Sequence, residues 1–224
     1  MASPAIPGAA DIDVLFMIGH DDDQVLDPSV RPPGCKRARV SQWTGKQSDV
    51  AIAECVGNLA CYAAICQRCG LVPIVEPEIV PNGDHGIDVC AEVTKKVLTA
   101  QYAALALHKV DLKGAVLKPN MVKNGLGAPT ESPEVTAQKT VDTLLTCVPK
   151  ENPGIFFLSG ETKKDEDNEE TATLNLNAMN LKPNPWSVSF SYGKALQKTC
   201  IVTWMGKEEN NEKAQARANP RPPH

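Results

Sequence analysis

The sequence has little of what would send it to a membrane, a polyanion or a metal. No apolar run long enough to span the ~20 residues a bilayer crossing needs is read in it. The formal net charge is -4, so no bulk attraction draws the chain to nucleic acid or an anionic surface. The opening residues, Met1-Ala-Ser-Pro-Ala-Ile-Pro-Gly8, lack a charged leader and a long apolar stretch. No signal peptide is therefore expected, and the cytoplasm is the expected compartment. There is one C-x-x-C, Cys66-Gln-Arg-Cys69, with neither a second such pair nor a suitable histidine pair to follow it. A zinc site is accordingly not expected. The eight cysteines fall mostly in helical or strand-like segments, as small buried thiols do, and are expected to be reduced. No phosphate loop or second acidic cluster accompanies His20-Asp-Asp-Asp23. That cluster could hold a hard cation, but it reads better as a solvated turn.

What is present is enough apolar material for a sizeable core: 42% of 224 residues, suited to one or two domains. Residues 1–47 form a poorly patterned segment broken by Pro4, Pro7, Pro28, Pro32 and Pro33. Within it, Ile12-Asp-Val-Leu-Phe-Met-Ile18 could be a buried strand, and Lys36-Arg-Ala-Arg39 reads as solvated surface. From Ser48 the chain becomes regular. A helix capped by Ser48 or Asp49 runs to about Arg68, with Ile52, Val56, Leu59, Ala60 and Ala63 on one face and Gly70 at its end. Leu71–Glu76 reads as a strand. Asp88–Leu107 reads as a helix turning Val89, Val93, Val97 and Leu98 inward. Leu112–Lys118 is the next strand. Ser132-Pro133 opens a helix to about Cys147 with Ala137, Val141, Leu144 and Leu145 inward. Gly154–Leu158 is a third strand, 171–180 a short helix, Trp186–Ser191 a fourth strand and Lys194–Trp204 a final helix. The polar tail, 207–224, is expected to be disordered.

Strand and helix therefore alternate four times behind a leading helix, which predicts parallel strands with crossover helices. Polar residues gather at or just past the C-terminal end of each strand: Glu76 and Glu78, Lys118, Ser159-Gly160, and Ser191-Tyr-Gly-Lys194. In a (β/α) barrel those ends form the active face, and a full barrel has eight units, so four units are half of one. Lys118 stands out among them. Apolar Val116-Leu117 leads up to it, and Pro119 ends the run by removing a backbone N–H. A lysine in such a place either reaches to solvent or is costly to keep charged, and a neutral amine is what a Schiff-base nucleophile needs.

Five ordered motifs carry a specific resemblance. They are Gly70-Leu-Val-Pro-Ile-Val-Glu-Pro-Glu-Ile79, Leu117-Lys-Pro-Asn-Met-Val122, Phe157-Leu-Ser-Gly160, Asn175-Leu-Asn-Ala178 and Ser189-Phe-Ser-Tyr-Gly-Lys-Ala-Leu-Gln197. From about Ser48 to Lys213 the chain resembles the class I, Schiff-base fructose-1,6-bisphosphate aldolases. The resemblance implies an α/β chain that is a partial TIM (β/α)8 barrel, retaining roughly its C-terminal half over 48–206. It implies no metal and no cofactor, since a covalent Schiff base to Lys118 takes that role. Glu76 resembles the acid/base carboxylate for carbinolamine dehydration, and Glu78 the carboxylate beside the lysine. Ser159 and Gly160 resemble one side of a substrate-phosphate site. Ser191, Gly193 and Lys194 resemble its partner on the next strand. The implied partners are a sugar phosphate and copies of the chain itself in a tetramer, with neither nucleic acid nor membrane.

The chain departs from the family's pattern at several positions. Lys194 stands where the family has an arginine, which keeps the charge and loses the bidentate fork. Glu161 replaces a glycine beside the phosphate loop. Met205 replaces a glycine in what is here Trp204-Met-Gly-Lys207. The family's C-terminal tyrosine has no counterpart in the tail, and the first half of the barrel is not recognisable. Two functions follow from these readings. One is a glycolytic lyase that cleaves fructose 1,6-bisphosphate to dihydroxyacetone phosphate and glyceraldehyde 3-phosphate. The other is a catalytically impaired aldolase-like chain or scaffold that binds sugar phosphates or protein partners.

Overall fold

The computed structural model describes residues 39–40, 49–79, 81, 83–160 and 168–218. All of them lie within one compact unit, Ala38–His224. The expected strand Ile12–Ile18, the cluster His20–Asp23 and Glu161 lie outside the described residues.

Strand β1 (Arg39–Val40) precedes helix α1 (Asp49–Arg68). The predicted stop at Gly70 is realised in full. Gly70 sits at φ 75°, a left-handed conformation that glycine adopts without steric cost. The Leu71 N–H donates to the Cys66 carbonyl at 2.9 Å and the Gly70 N–H to the Gln67 carbonyl at 3.1 Å. These are the two bonds of a Schellman cap, which satisfy carbonyls the helix end would otherwise leave bare. Ile52, Val56, Ala60, Ala63 and Cys66 are its buried stripe. By length and composition alone α1 is long and apolar enough to cross a membrane, which corrects the expectation that no such run exists. In the described structure that buried stripe packs on helix α2 (Ile87–Leu107) and on strand β2 (Ile74–Val75), the place of an outer helix in a βα unit.

Helix α2 (Ile87–Leu107), a 3-10 turn (Leu112–Gly114), β4 (Val116–Leu117) and α3 (Pro133–Cys147) follow, with a two-residue strand β3 (Glu78–Ile79) ahead of α2. Ser132 caps α3, its hydroxyl accepting from the Val135 N–H, and Pro133 occupies the first turn, where a missing N–H costs nothing. Then come β5 (Gly154–Phe157), α4 (Asn168–Asn180), β6 (Ser187–Phe190) and α5 (Lys194–Trp204). The expected helix bounds hold closely; the strand bounds do not. The predicted strand Leu112–Lys118 is cut to two residues because Asp111 accepts the Lys113 N–H at 3.0 Å and winds the chain into a turn first. Beyond Gly206 the expected disorder is replaced by a second 3-10 turn (Glu208–Asn210) and α6 (Asn211–Ala218), with Ala214 buried.

Among the described residues the main sheet has four strands in the order β2-β4-β5-β6. Every pair is parallel: Val75 lies beside Leu117, Leu117 beside Ile155, and Phe157 beside Phe190. Strand order thus equals chain order, with a helix between consecutive members, as successive βα units of a barrel wall require. A separate two-stranded parallel piece pairs β1 with β3. The core under the helices is built on Leu98, Leu105, Leu117, Leu144, Ile155, Phe157 and Met179, all almost wholly buried. Two residues assigned inward are not: Val89 is 40% exposed and Leu145 48%. Each lies at the rim of its helix stripe, while Val93 and Val97, and Val141 and Leu144, carry the contact.

Candidate active site

The C-terminal strand ends carry the polar residues. At β4 the chain delivers Lys118, whose own N–H donates to the Val75 carbonyl at 2.8 Å and so continues the β2–β4 ladder by one step. That register sets Glu76, the residue after β2, opposite Lys118. Their side chains meet, Nζ to Oε1 at 3.2 Å, with only 14% and 16% of them exposed. An ion pair this dry leaves each group dependent on the other, since neither has full hydration to fall back on. Chemically it is a buried amine with a carboxylate in proton-transfer range.

Glu78 lies two residues on, at the start of the next strand. Buried Pro77 separates the two glutamates, and Glu78 opens β3, opposite Arg39 of β1, with its side chain half-buried. Within the predicted catalytic trio, Lys118 and Glu76 meet as an ion pair. The loop after Lys118 is pinned on both sides. Asn120 Oδ1 accepts the Ile79 N–H at 2.6 Å, tying the β4 end to β3. Thr140 Oγ1 accepts the Val122 N–H at 3.0 Å while donating to the Thr136 carbonyl of its own helix at 2.7 Å. The Leu158 N–H reaches the Pro119 carbonyl at 3.2 Å, which carries the next strand end alongside.

Ser159 and Gly160 follow β5. Ser159 is buried, and Gly160 takes a left-handed φ of 71°. They share a concavity with Asn120, Lys123, His85 and Cys90. Burial holds the His85 imidazole below its usual range, only partly opposed by the Asp84 carboxylate. Burial likewise pushes the Cys90 thiol up, against smaller downward pulls from hydrogen bonds with the Lys123 backbone and the Thr94 side chain and, last, from the Lys123 charge. Ser191, Gly193 and Lys194 follow β6 and are not among the residues lining that concavity. The Ser191 N–H donates to the Phe157 carbonyl at 2.9 Å, so the β5 and β6 ends remain neighbours. Gly193 caps α5, and its carbonyl accepts the Leu196 and Gln197 N–H groups at 3.1 Å. Lys194 is exposed on the first turn of α5.

His85, Asn120 and Lys123, which line the same concavity, were not singled out from the sequence. Asn120 stood inside the quoted Leu117–Val122 motif and could have been found there; no local pattern marks the other two. Among the described residues no group of three or more His, Cys, Asp or Glu side chains is arranged to hold a metal ion. None of the seven described cysteines, Cys66 and Cys69 included, is in a disulfide.

This geometry has close counterparts. The family model for class-I fructose-bisphosphate aldolase matches residues 35–222, a span that starts earlier and ends later than the motifs alone suggested. Fructose-bisphosphate aldolase B of Gallus gallus is 52% identical over 171 residues, which are 75% of this chain and 46% of that protein. The cytoplasmic isozyme of Spinacia oleracea is 50% identical over 187 residues, 80% of this chain and 51% of that protein. A solved structure of the Plasmodium falciparum aldolase, in complex with TRAP and a small-molecule inhibitor, superposes with a TM-score of 0.71 at 47% identity. It is covered to 49% of its own length and covers 78% of this chain. The chain thus spans about half the length of the curated relatives it matches. With the parallel β2-β4-β5-β6 wall, the Lys118–Glu76 pair at its C-terminal end and this extent of identity, the chain belongs to the class-I fructose-bisphosphate aldolase family.

Proposed function

We propose that this chain carries the Schiff-base half of an aldolase reaction and cleaves fructose 1,6-bisphosphate to dihydroxyacetone phosphate and glyceraldehyde 3-phosphate. The observation that supports it most is the buried Lys118–Glu76 pair at 3.2 Å. Lys118 Nζ gives up a proton to Glu76 and attacks the ketose carbonyl, forming a carbinolamine. Glu76 returns the proton to the departing hydroxyl, water leaves, and an iminium remains on Lys118. The iminium accepts the electron pair of the breaking carbon–carbon bond as the aldehyde product forms, and the hydroxyl proton passes to the Glu76 carboxylate, which returns it to the enamine carbon. Protonation and hydrolysis of the resulting enamine release the second triose and restore the amine. No metal or other cofactor enters these steps. Glu78 tunes the charge near the lysine, and Ser159, Gly160, Ser191, Gly193 and Lys194 hold a substrate phosphate at the adjoining β5 and β6 ends. The working form is a homo-oligomer, a tetramer as the family resemblance implies, in the cytoplasm. Light scattering on the purified chain gives its mass in solution.

A second reading is favoured by one observation. Phe190, Leu196, Ile201, Val202, Trp204 and Met205, on β6, along α5 and at its C-cap, are each at least 45% exposed. Exposed apolar surface of that kind suits an impaired aldolase-like chain acting as a scaffold for sugar phosphates or protein partners. Borohydride reduction in the presence of dihydroxyacetone phosphate, followed by peptide mass analysis, separates the two. Stoichiometric labelling of Lys118 together with triose-phosphate release supports the lyase. Labelling at another lysine removes the mechanism. Labelling without release favours the scaffold.

A further inference from the structure

The concavity at the β5 end has a cation that the predicted phosphate set does not include. Its polar wall is made by Ser159, Gly160, Asn120, Lys123 and His85. Lys123 is held on a short, fixed stretch of backbone. Before it, the Val122 N–H is bound by the Thr140 hydroxyl at 3.0 Å. After it, the Gly125 N–H donates to the His85 carbonyl at 2.9 Å, and Gly125 lies so close to the Gly83 carbonyl oxygen that a Cβ there would stand only 2.5 Å away. The lysine stem therefore starts from a defined point and is itself half-buried. Lys123 and buried Cys90 line the same wall, and the Lys123 charge is felt at that thiol. Burial holds the His85 imidazole below its usual range, which disfavours its cationic form. Lys194 is exposed on α5 and lines no part of this wall.

We propose that Lys123 is a binding residue for a phosphate monoester, forming with Ser159 and Gly160 the anion subsite that the β5 end presents. Ser159 offers its hydroxyl, and Gly160 a backbone N–H in a turn only glycine takes without strain. Lys123 adds a compact positive charge with three donors, which needs no fixed approach plane. The assignment rests on the reading of Ser159-Gly160 as a phosphate site. It adds that the charge opposing the phosphate comes from the β4–α3 loop as well as from α5.

Two ketones test it, dihydroxyacetone phosphate and unphosphorylated dihydroxyacetone, each titrated in borohydride trapping of Lys118 on the full chain. Loss of one charged hydrogen bond corresponds to about a tenfold change or more. Lys123→Gln is expected to raise the half-saturating concentration of the phosphate ester by at least about that factor and to leave that of dihydroxyacetone unchanged. Equal shifts for both ketones, or for neither, overturn the proposal, the first because Lys123 then acts only through the fold. If the unsubstituted chain traps neither ketone, the lyase reading fails by itself. Inorganic phosphate binding, followed by calorimetric titration, then decides the subsite. Binding that Lys123→Gln weakens about tenfold sustains it. Binding that is undiminished, or absent from the unsubstituted chain, overturns it.

Discussion

At the residue scale the proposed chemistry turns on one contact. Lys118 and Glu76 are 42 positions apart in sequence, and the parallel register of β2 with β4 brings their side chains to 3.2 Å. Glu76→Gln keeps the shape and removes the proton acceptor. The rate of imine formation at Lys118, read by borohydride trapping with dihydroxyacetone phosphate, is expected to fall by ~10²–10⁴, the usual weight of a positioned acid–base group. A rate equal to that of the unsubstituted chain would show that Glu76 moves no proton. This pair was legible in the sequence because each residue ends an apolar run, and strand ends in a barrel share a face. Glu78 was harder to place. Its motif sets it two residues from Glu76, but a buried proline between them sends the chain into β3, and spacing cannot report that change of direction. Lys123 was not legible at all, since a lone lysine in a loop looks the same whether it faces water or a wall of polar groups.

Elements in this chain are fixed more by their ends than by their interiors. Ser132-Pro133 and Gly70 announced the helix termini, and the structure uses both as caps. Short strands gave weaker signals, because two buried residues make no period. Helix α6 was missed for the opposite reason. Asn-Glu-Lys-Ala-Gln-Ala-Arg-Ala has strong helix formers but no apolar stripe, and of its described side chains only Ala214 is buried. The element that most directly supports the site is α3, through Thr140. This residue is fully buried, and its hydroxyl both accepts the Val122 N–H and donates to the Thr136 carbonyl. Thr140→Val keeps the volume and strips both bonds, leaving the Val122 N–H buried without its partner. A loss of about 1–3 kcal/mol is expected in chemical denaturation. Lys118 labelling should slow as well, because the same loop leads back to Pro119. Unchanged stability would mean that water or a shifted helix replaces the hydroxyl.

On the scale of the whole molecule, the sheet order β2-β4-β5-β6 follows the chain, and helices pack with their sequence neighbours, α1 on α2, α2 on α3, α3 on α4. Almost every stabilising contact is therefore between one βα unit and the next. Such a chain resembles a one-dimensional array, in which each unit's persistence depends on its own stability and on the coupling to its two neighbours. Interior units are held from both sides and terminal ones from one. Strand β5 is buried along nearly its whole length, whereas both ends of β6 are exposed. Amide hydrogen exchange should accordingly be slowest in β4 and β5 and fastest through β6, α5 and α6, with a graded profile between. A single uniform protection level across all units would show instead that they open together. If the gradient holds, the chain frays from its β6 end inward. The proposed phosphate-binding groups after β6 would then be lost in an opening that leaves Lys118 and Glu76 still paired, so their share of the anion affinity and the imine chemistry would fail at different temperatures.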